Sequence, residues 1–347
     1  MLEEKLKRTE LSEMGEFRLI DHLTEDIKIV NKETIKGVGD DAAVIDNGNY
    51  VTLVSTDILT EGIHFDLTYT PLKHLGYKAA VVNFSDIAAM NGTPKQITVS
   101  IAVSNRFSVE ALDEFYDGLK IACKKYNVDL VGGDTTSSLK GLFISITVVG
   151  IAKKDDVVYR NTAKANDLIC VTGDLGGAFM GLKLLEREKE VFKADPGIQP
   201  DLEGYDYIVG RQLKPEARMD IIKIFKDLKV KPTSMIDISD GLASEIMHIC
   251  KDSDVGCNVY LDKIPIDPTT NNMAVDFNMA ATVAALNGGE DYELLFTISQ
   301  DNYEKIKTVK EITVIGYITE ARDNCYLVAN DNSLIPIKAQ GWNSFPE

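Results

Sequence analysis

Apolar residues recur along the first half of the chain in short runs that alternate with longer periodic stretches. Residues 42–45, 50–56, 97–103, 128–131 and 143–151 are rich in β-branched side chains and bounded by polar turns, which predicts strands. Between them, Thr70-Pro71 sets a cap before a proline at the first helical position and opens a helix running to about Met90. A second helix follows Ser108, with Leu112, Phe115, Leu119 and Cys123 on one face at spacings of three and four. A charged turn, Lys153-Lys154-Asp155-Asp156, follows a long apolar strand and marks a boundary. The second half predicts strands at 168–171, 235–238, 258–261, 292–298, 313–317 and 326–328. Its helices are predicted after Gly173, in a long charged stretch, from Pro215 to Leu228, from Gly241, and ending near Gly288. The expectation is a mixed α/β chain of two domains, residues 1–152 and 153–347.

Composition narrows the picture. The 347 residues are 44% hydrophobic and 26% charged with ten prolines, as in a folded globular protein. A net charge of −17 argues against nucleic acid or an anionic membrane as partner. The charged start of the chain lacks the apolar segment of a signal peptide, and no apolar run reaches the roughly 18 residues of a membrane span. The five cysteines, 123, 170, 250, 257 and 325, are odd in number and form no CxxC pair. That spacing argues against both a disulfide framework and a zinc site, and a reducing cytoplasm is the expected location.

The question is then where the carboxylates stand. Four clusters place an acid among glycine, serine or threonine beside a predicted strand: Gly39-Asp40-Asp41-Ala42, Ser55-Thr56-Asp57, Gly132-Gly133-Asp134-Thr135-Thr136, and Asp237-Ile238-Ser239-Asp240-Gly241. Magnesium takes hard oxygen ligands, one or two carboxylates with phosphate oxygens and water, and glycine lets the backbone approach a phosphate. A single Asp-Gly pair is ordinary turn chemistry; four of one type, each abutting a strand, point to metal and phosphate. Asp86 lies in a helix apolar on nearly every side, where a carboxylate is either rescued by Asn83 or Ser85 or bound to metal. His64, Arg160 and the acids of Gly288-Gly289-Glu290-Asp291-Tyr292-Glu293 are further candidates. There is no GxxxxGK[ST] and no protein-kinase catalytic loop, so any ATP is handled through carboxylate-held metal.

In this order the motifs resemble those of the thiamine-monophosphate kinases, within the aminoimidazole ribonucleotide synthetase-like superfamily. The resemblance covers nearly the whole chain. It implies an N-terminal domain that binds ATP and Mg²⁺ and dimerises through its strands, and a C-terminal α/β domain that completes the cleft. It implies a magnesium shell of several ions from Asp41, Ser55, Thr56, Asp57, Asp86, Asp134, Asp237 and Asp240, with Asp57, Asp134 and Asp240 catalytic. ATP would be contacted by Tyr116, Gly133, Asp134, Arg160 and Ser239, and thiamine monophosphate by His64, Glu290 and Trp342. The implied reaction is direct in-line transfer of the ATP γ-phosphoryl group to thiamine monophosphate, in a cytoplasmic homodimer. Alternatives are another ATP-dependent member of the superfamily or a non-catalytic nucleotide-binding relative. Selenophosphate synthetase is disfavoured because the first cysteine, Cys123, lies on a predicted helix. Residues 186–207 carry much charge and receive no role.

Overall fold

The computed structural model describes residues 11–322 and 324–339. The first domain runs α1 (Leu11–Thr24), β1 (Thr34–Lys36), β2 (Ala43–Asn47), β3 (Tyr50–Thr60), α2 (Leu72–Ala89), β4 (Thr93–Val103), α3 (Val109–Tyr126), β5 (Asp129–Ser137) and β6 (Leu142–Lys153). Its six-stranded sheet has the order β1-β2-β3-β6-β4-β5 and is antiparallel except for the β4–β5 pair. Alternate residues of β6 (Leu142, Ile144, Ile146, Val148) are buried beneath the helices, as period-two patterning requires.

The second domain runs β7 (Leu168–Thr172), α4 (Gly177–Ala194), α5 (Asp206–Leu213), α6 (Met219–Leu228), β8 (Ser234–Asp237), α7 (Leu242–Ser253), β9 (Gly256–Tyr260), α8 (Pro268–Asp276), α9 (Ala281–Asn287), β10 (Leu294–Ile298), α10 (Tyr303–Ile306), β11 (Ile312–Thr319), β12 (Cys325–Val328) and β13 (Leu334–Pro336). Its seven strands are ordered β13-β12-β9-β11-β7-β10-β8, mostly antiparallel. Among the described residues no helix is long and apolar enough to cross a membrane.

Helix α2 joins the two domains. Almost every residue from Leu75 to Ala89 is buried, which explains its lack of a polar face. One side packs on the first sheet and on α3, while Ala88 and Ala89 belong to the second domain's cluster with Phe225, Phe296 and Ile221. Against α3 the contact is backbone to backbone: a Cβ on Gly118 would fall 1.8 Å from the Lys73 carbonyl oxygen, and one on Gly76 would fall 1.9 Å from that of Phe115.

Several boundaries differ from the sequence reading. The Ser55-Thr56-Asp57 and Gly133-Asp134 motifs lie inside long strands, β3 and β5, rather than at strand ends, because hydrogen bonding to the neighbouring strands continues past them. The helix expected from Pro215 begins at Met219. The intervening segment is held out of the helix by Glu216, whose carboxylate accepts hydrogen bonds from the Tyr77 (2.7 Å) and Tyr126 (2.6 Å) hydroxyls. The small-residue helix and the charged stretch after it are one continuous helix, α4.

Candidate active site

Four elements converge on a cleft of about 1030 Å³ between the domains. β3 contributes Thr56 and Asp57, α2 contributes Asp86, β8 ends in Asp237, and the turn into α7 presents Ser239 and Asp240. Hydrogen bonds fix the acids individually. The Ser55 hydroxyl donates to Asp86 at 2.6 Å, and the Ser85 hydroxyl donates across the domain boundary to Asp237 at 2.5 Å. The backbone N–H of Asp57 donates to the Asn83 amide oxygen at 3.2 Å. Asp86 is therefore supported by Ser55, while Asn83 and Ser85 serve its neighbours.

The electrostatics are those of an uncompensated anion cluster. Burial, followed by the charges of Asp57 and Asp237, holds Asp86 well above the usual carboxylate range. Burial and then Asp41 push Asp237 up to about 7. Burial and then Glu16 push Asp57 up to about 6; burial, Glu16 and Glu290 push Asp240 up to about 6. Beside this group Arg160 pairs with Asp41 and, at 3.7 Å from its Nε, with Asp40. Even so, the Oδ2 atoms of Asp40 and Asp41 are buried without a hydrogen-bond partner among the described residues. Oxygen-only donors, mutual repulsion and orphaned carboxylate oxygens suit a hard divalent cation such as Mg²⁺.

The same cleft is lined by His64 and Glu290. His64 accepts the Thr60 N–H at Nδ1 (3.0 Å), which leaves the proton on Nε2. Its burial lowers its pKa, against the opposing charge of Glu290. Glu290 accepts from Lys78 Nζ at Oε1 (2.8 Å) and from Gln212 Nε2 at Oε2 (2.7 Å); both partners are buried. Its backbone is left-handed (φ 58), and so is that of Tyr292 (φ 52). Their N–H groups donate to Ser239 (2.7 Å) and Ile238 (2.9 Å) carbonyls, which offsets that strain. Asp291 and Glu293 turn away from the cleft: Asp291 accepts the Gly176 N–H and Glu293 pairs with Arg211 and Arg218.

Six expected residues do not line this cleft: Asp41 and Arg160 pair with each other within electrostatic reach of Asp237, Ser55 reaches it through Asp86, and Gly133, Asp134 and Tyr116 lie elsewhere. Gly133 and Asp134 lie on β5, three strands along the sheet from β3, and Asp134 is exposed. Gly133 has a packing reason of its own, since a Cβ there would lie 1.8 Å from the Val99 carbonyl oxygen. Tyr116, on α3, packs edge-on against Phe115 at the rim of the first core. Trp342 lies outside the described residues.

Residues 39–152 match the family description "AIR synthase related protein, N-terminal domain", and residues 164–326 match "AIR synthase related protein, C-terminal domain". The thiamine-monophosphate kinase of Buchnera aphidicola subsp. Schizaphis graminum is 37% identical over 340 residues, covering 96% of this chain and 99% of that protein. The chain belongs to the thiamine-monophosphate kinase family. The thiamine-monophosphate kinase of Bacillus subtilis is 33% identical over 96% of this chain and 100% of its own. The solved structure "AaThiL complexed with AMPPCP and TMP" superposes with a TM-score of 0.83 at 31% identity, over 97% of this chain and 99% of that one.

Set in a thiamine-monophosphate kinase, the residues that sequence reasoning missed are those that hold others in place. Lys78 and Gln212 clamp Glu290. Glu245, buried on the first turn of α7, accepts the Ser239 (3.2 Å) and Asp240 (2.8 Å) N–H groups and so shapes that loop. A lysine in the middle of an apolar helix was the one available signal, since a buried ammonium demands a partner. The unassigned charged segment also acquires a place. Glu186 and Lys189 of α4 line the cleft, and Lys189 pairs with Asp66 of the first domain.

Proposed function

We propose that this chain transfers the γ-phosphoryl group of ATP to thiamine monophosphate, yielding thiamine diphosphate and ADP by direct in-line displacement. The observation that carries the reading is the convergence of Asp57, Asp86 and Asp237, from both domains, on one cleft with His64 and Glu290. Full-length likeness to thiamine-monophosphate kinases, and to the solved structure of AaThiL complexed with AMPPCP and TMP, supports it. Mg²⁺ held by Asp41, Ser55, Thr56, Asp57, Asp86, Asp237 and Asp240 would supply the charge that cancels repulsion between donor and acceptor phosphates.

The chain's own groups position the reactants. His64 Nε2–H offers a donor to the acceptor molecule. Glu290, each of whose oxygens keeps a second lone pair, offers an acceptor to its aminopyrimidine and a negative charge near its thiazolium. Ser239 and the adjoining turn, braced by Glu245, face the nucleotide side, and Arg160 is the nearby cation for its phosphates. The attacking phosphate has a second pKa of about 6 and is largely dianionic at neutral pH, so no side chain need remove a proton. Positioning and charge neutralisation then carry the rate.

We further assign the chain to the cytoplasm and to a homodimer, with residues 1–152 as the ATP- and dimer-forming domain and 153–347 completing the cleft. β5 is exposed along its whole length at the sheet edge, an arrangement that folded proteins cover. A second copy there would account for the distance of Gly133, Asp134 and Tyr116 from Asp57. A monomer in analytical ultracentrifugation at assay concentration removes that part of the reading.

Product analysis tests the reaction. With ATP, Mg²⁺ and thiamine monophosphate the expected products are thiamine diphosphate and equimolar ADP, both absent without metal. ADP without thiamine diphosphate, or a phosphorylated side chain trapped in a single turnover, counts against the proposal.

A further inference from the structure

Linear spacing argued against a metal site among the cysteines, yet folding brings three of them together. Cys250 lies in the last turn of α7, Cys257 near the start of β9 and Cys325 at the start of β12. Their Sγ atoms all lie within 4.8 Å of one another, and all three are free thiols. Cys257 and Cys325 are directly paired on parallel neighbouring strands.

The backbone around each sulfur is fixed. The Cys250 carbonyl accepts the Val255 N–H (3.0 Å), the Cys257 N–H donates to Asn324 (3.0 Å), and the Cys325 carbonyl accepts the Ile337 N–H (2.9 Å). Gly256 makes the approach possible, because a Cβ there would lie 2.1 Å from the Ala321 carbonyl oxygen and 2.6 Å from that of Asn324. Cys250 and Cys257 are fully buried beside Ile246, Val259 and Ile318, while Cys325 is partly exposed and forms the entrance.

Thiolate–metal bonds of about 2.3 Å place three sulfurs about 4 Å apart in a trigonal plane. Small side-chain adjustments reach that arrangement from the observed one. Among the described residues no histidine or carboxylate joins the group. Three sulfurs in an apolar setting suit a soft ion content with three ligands, Cu(I), better than Zn(II), which takes a fourth. We propose that Cys250, Cys257 and Cys325 form a thiolate site for one soft, thiophilic metal ion, remote from the phosphate-transfer cleft. Binding breaks each S–H bond as an S–metal bond forms and releases the protons to solvent, with no change of oxidation state. The ion would tie the end of α7 to β9 and β12, and so stabilise the second domain.

The test uses the reduced, metal-free full-length protein under anaerobic conditions. It is titrated with Cu(I) against a chromophoric Cu(I) chelator and, in a second arm, with Zn(II). The expected result is one ion per chain in at least one arm, with an ultraviolet thiolate-to-metal charge-transfer band for Cu(I) and three fewer titratable thiols. Cys325→Ser, at the partly exposed position, should lose the complex while keeping its circular dichroism spectrum; Cys325→Ala serves if the serine variant misfolds. Cys123→Ser, in the other domain, should bind as the parent does. The proposal is overturned if neither ion binds, if the complex survives Cys325→Ser or Cys325→Ala, or if protein purified with reductant carries a disulfide among the three.

Discussion

At the scale of single residues, the acids of the cleft are held in a state that is unfavourable without a cation. Asp237 shows it best, being buried and pushed up to about 7 by burial and Asp41. Asp237→Asn keeps an oxygen for the Ser85 hydroxyl but removes one repelling charge. We expect turnover to fall about 100-fold or more while the metal-free melting temperature rises by about 2–4 °C. Steady-state kinetics and a thermal scan in chelator check both, and a fall in both would mean that the carboxylate is structural. Lys78 gives a complementary case, because its ammonium secures Glu290 rather than meeting the phosphates. Lys78→Met should raise KM for thiamine monophosphate about tenfold or more and leave KM for ATP near its parent value. Equal changes in both constants would deny it a positioning role.

At the scale of elements, much was legible and the failures have causes. The burial of α2 followed from its unbroken apolar character, and β3, β5 and β8 were located from β-branched runs, although the first two were read as ending short of Asp57 and Asp134. What could not be read was decided by partners distant in sequence. Pro215 looked like a helix start, but Glu216 is claimed by Tyr77 and Tyr126 from the other domain. In the candidate site, Ser239 and Asp240 announced themselves by their turn, whereas Glu245, Lys78 and Gln212 act only through contacts made in the fold. The cysteines are the plainest instance: residues 250, 257 and 325 have no motif, and only the pairing of β9 with β12 and the packing of α7 beside them make them neighbours. Gly76 and Gly118 likewise read as helix weaknesses, yet they set the α2–α3 crossing. Gly118→Ala should cost about 3 kcal/mol of stability through the clash with the Lys73 backbone, measured by urea unfolding; a neutral effect would mean that the helices can separate freely.

At the scale of the whole molecule, the acid cluster couples metal, pH and stability. Asp237 moves up to about 7 and Asp57 and Asp240 up to about 6, from a model-peptide value of 3.8. The metal-free folded chain therefore holds more protons than the unfolded chain between about pH 4 and 7. The stabilising contribution of these groups is complete below about pH 4 and is lost as pH rises through 6 to 7. Without metal the melting temperature should fall across that window, and added Mg²⁺ should raise it more at pH 8 than at pH 5. Differential scanning fluorimetry at several pH values decides it; an equal Mg²⁺ effect at both ends would show that the carboxylates do not bind the ion.

Ser85 and Asp86 are consecutive residues of α2, yet Ser85 reaches the second domain at Asp237 and Asp86 reaches β3 through Ser55. Both connections depend on the angular phase of one helix. Adding or deleting a single residue between Tyr77 and Ser85 would turn that pair by about 100° relative to the α3 crossing at Lys73, Gly76 and Tyr77 and break both contacts at once. The length of this stretch is therefore under tighter constraint than many of its side chains.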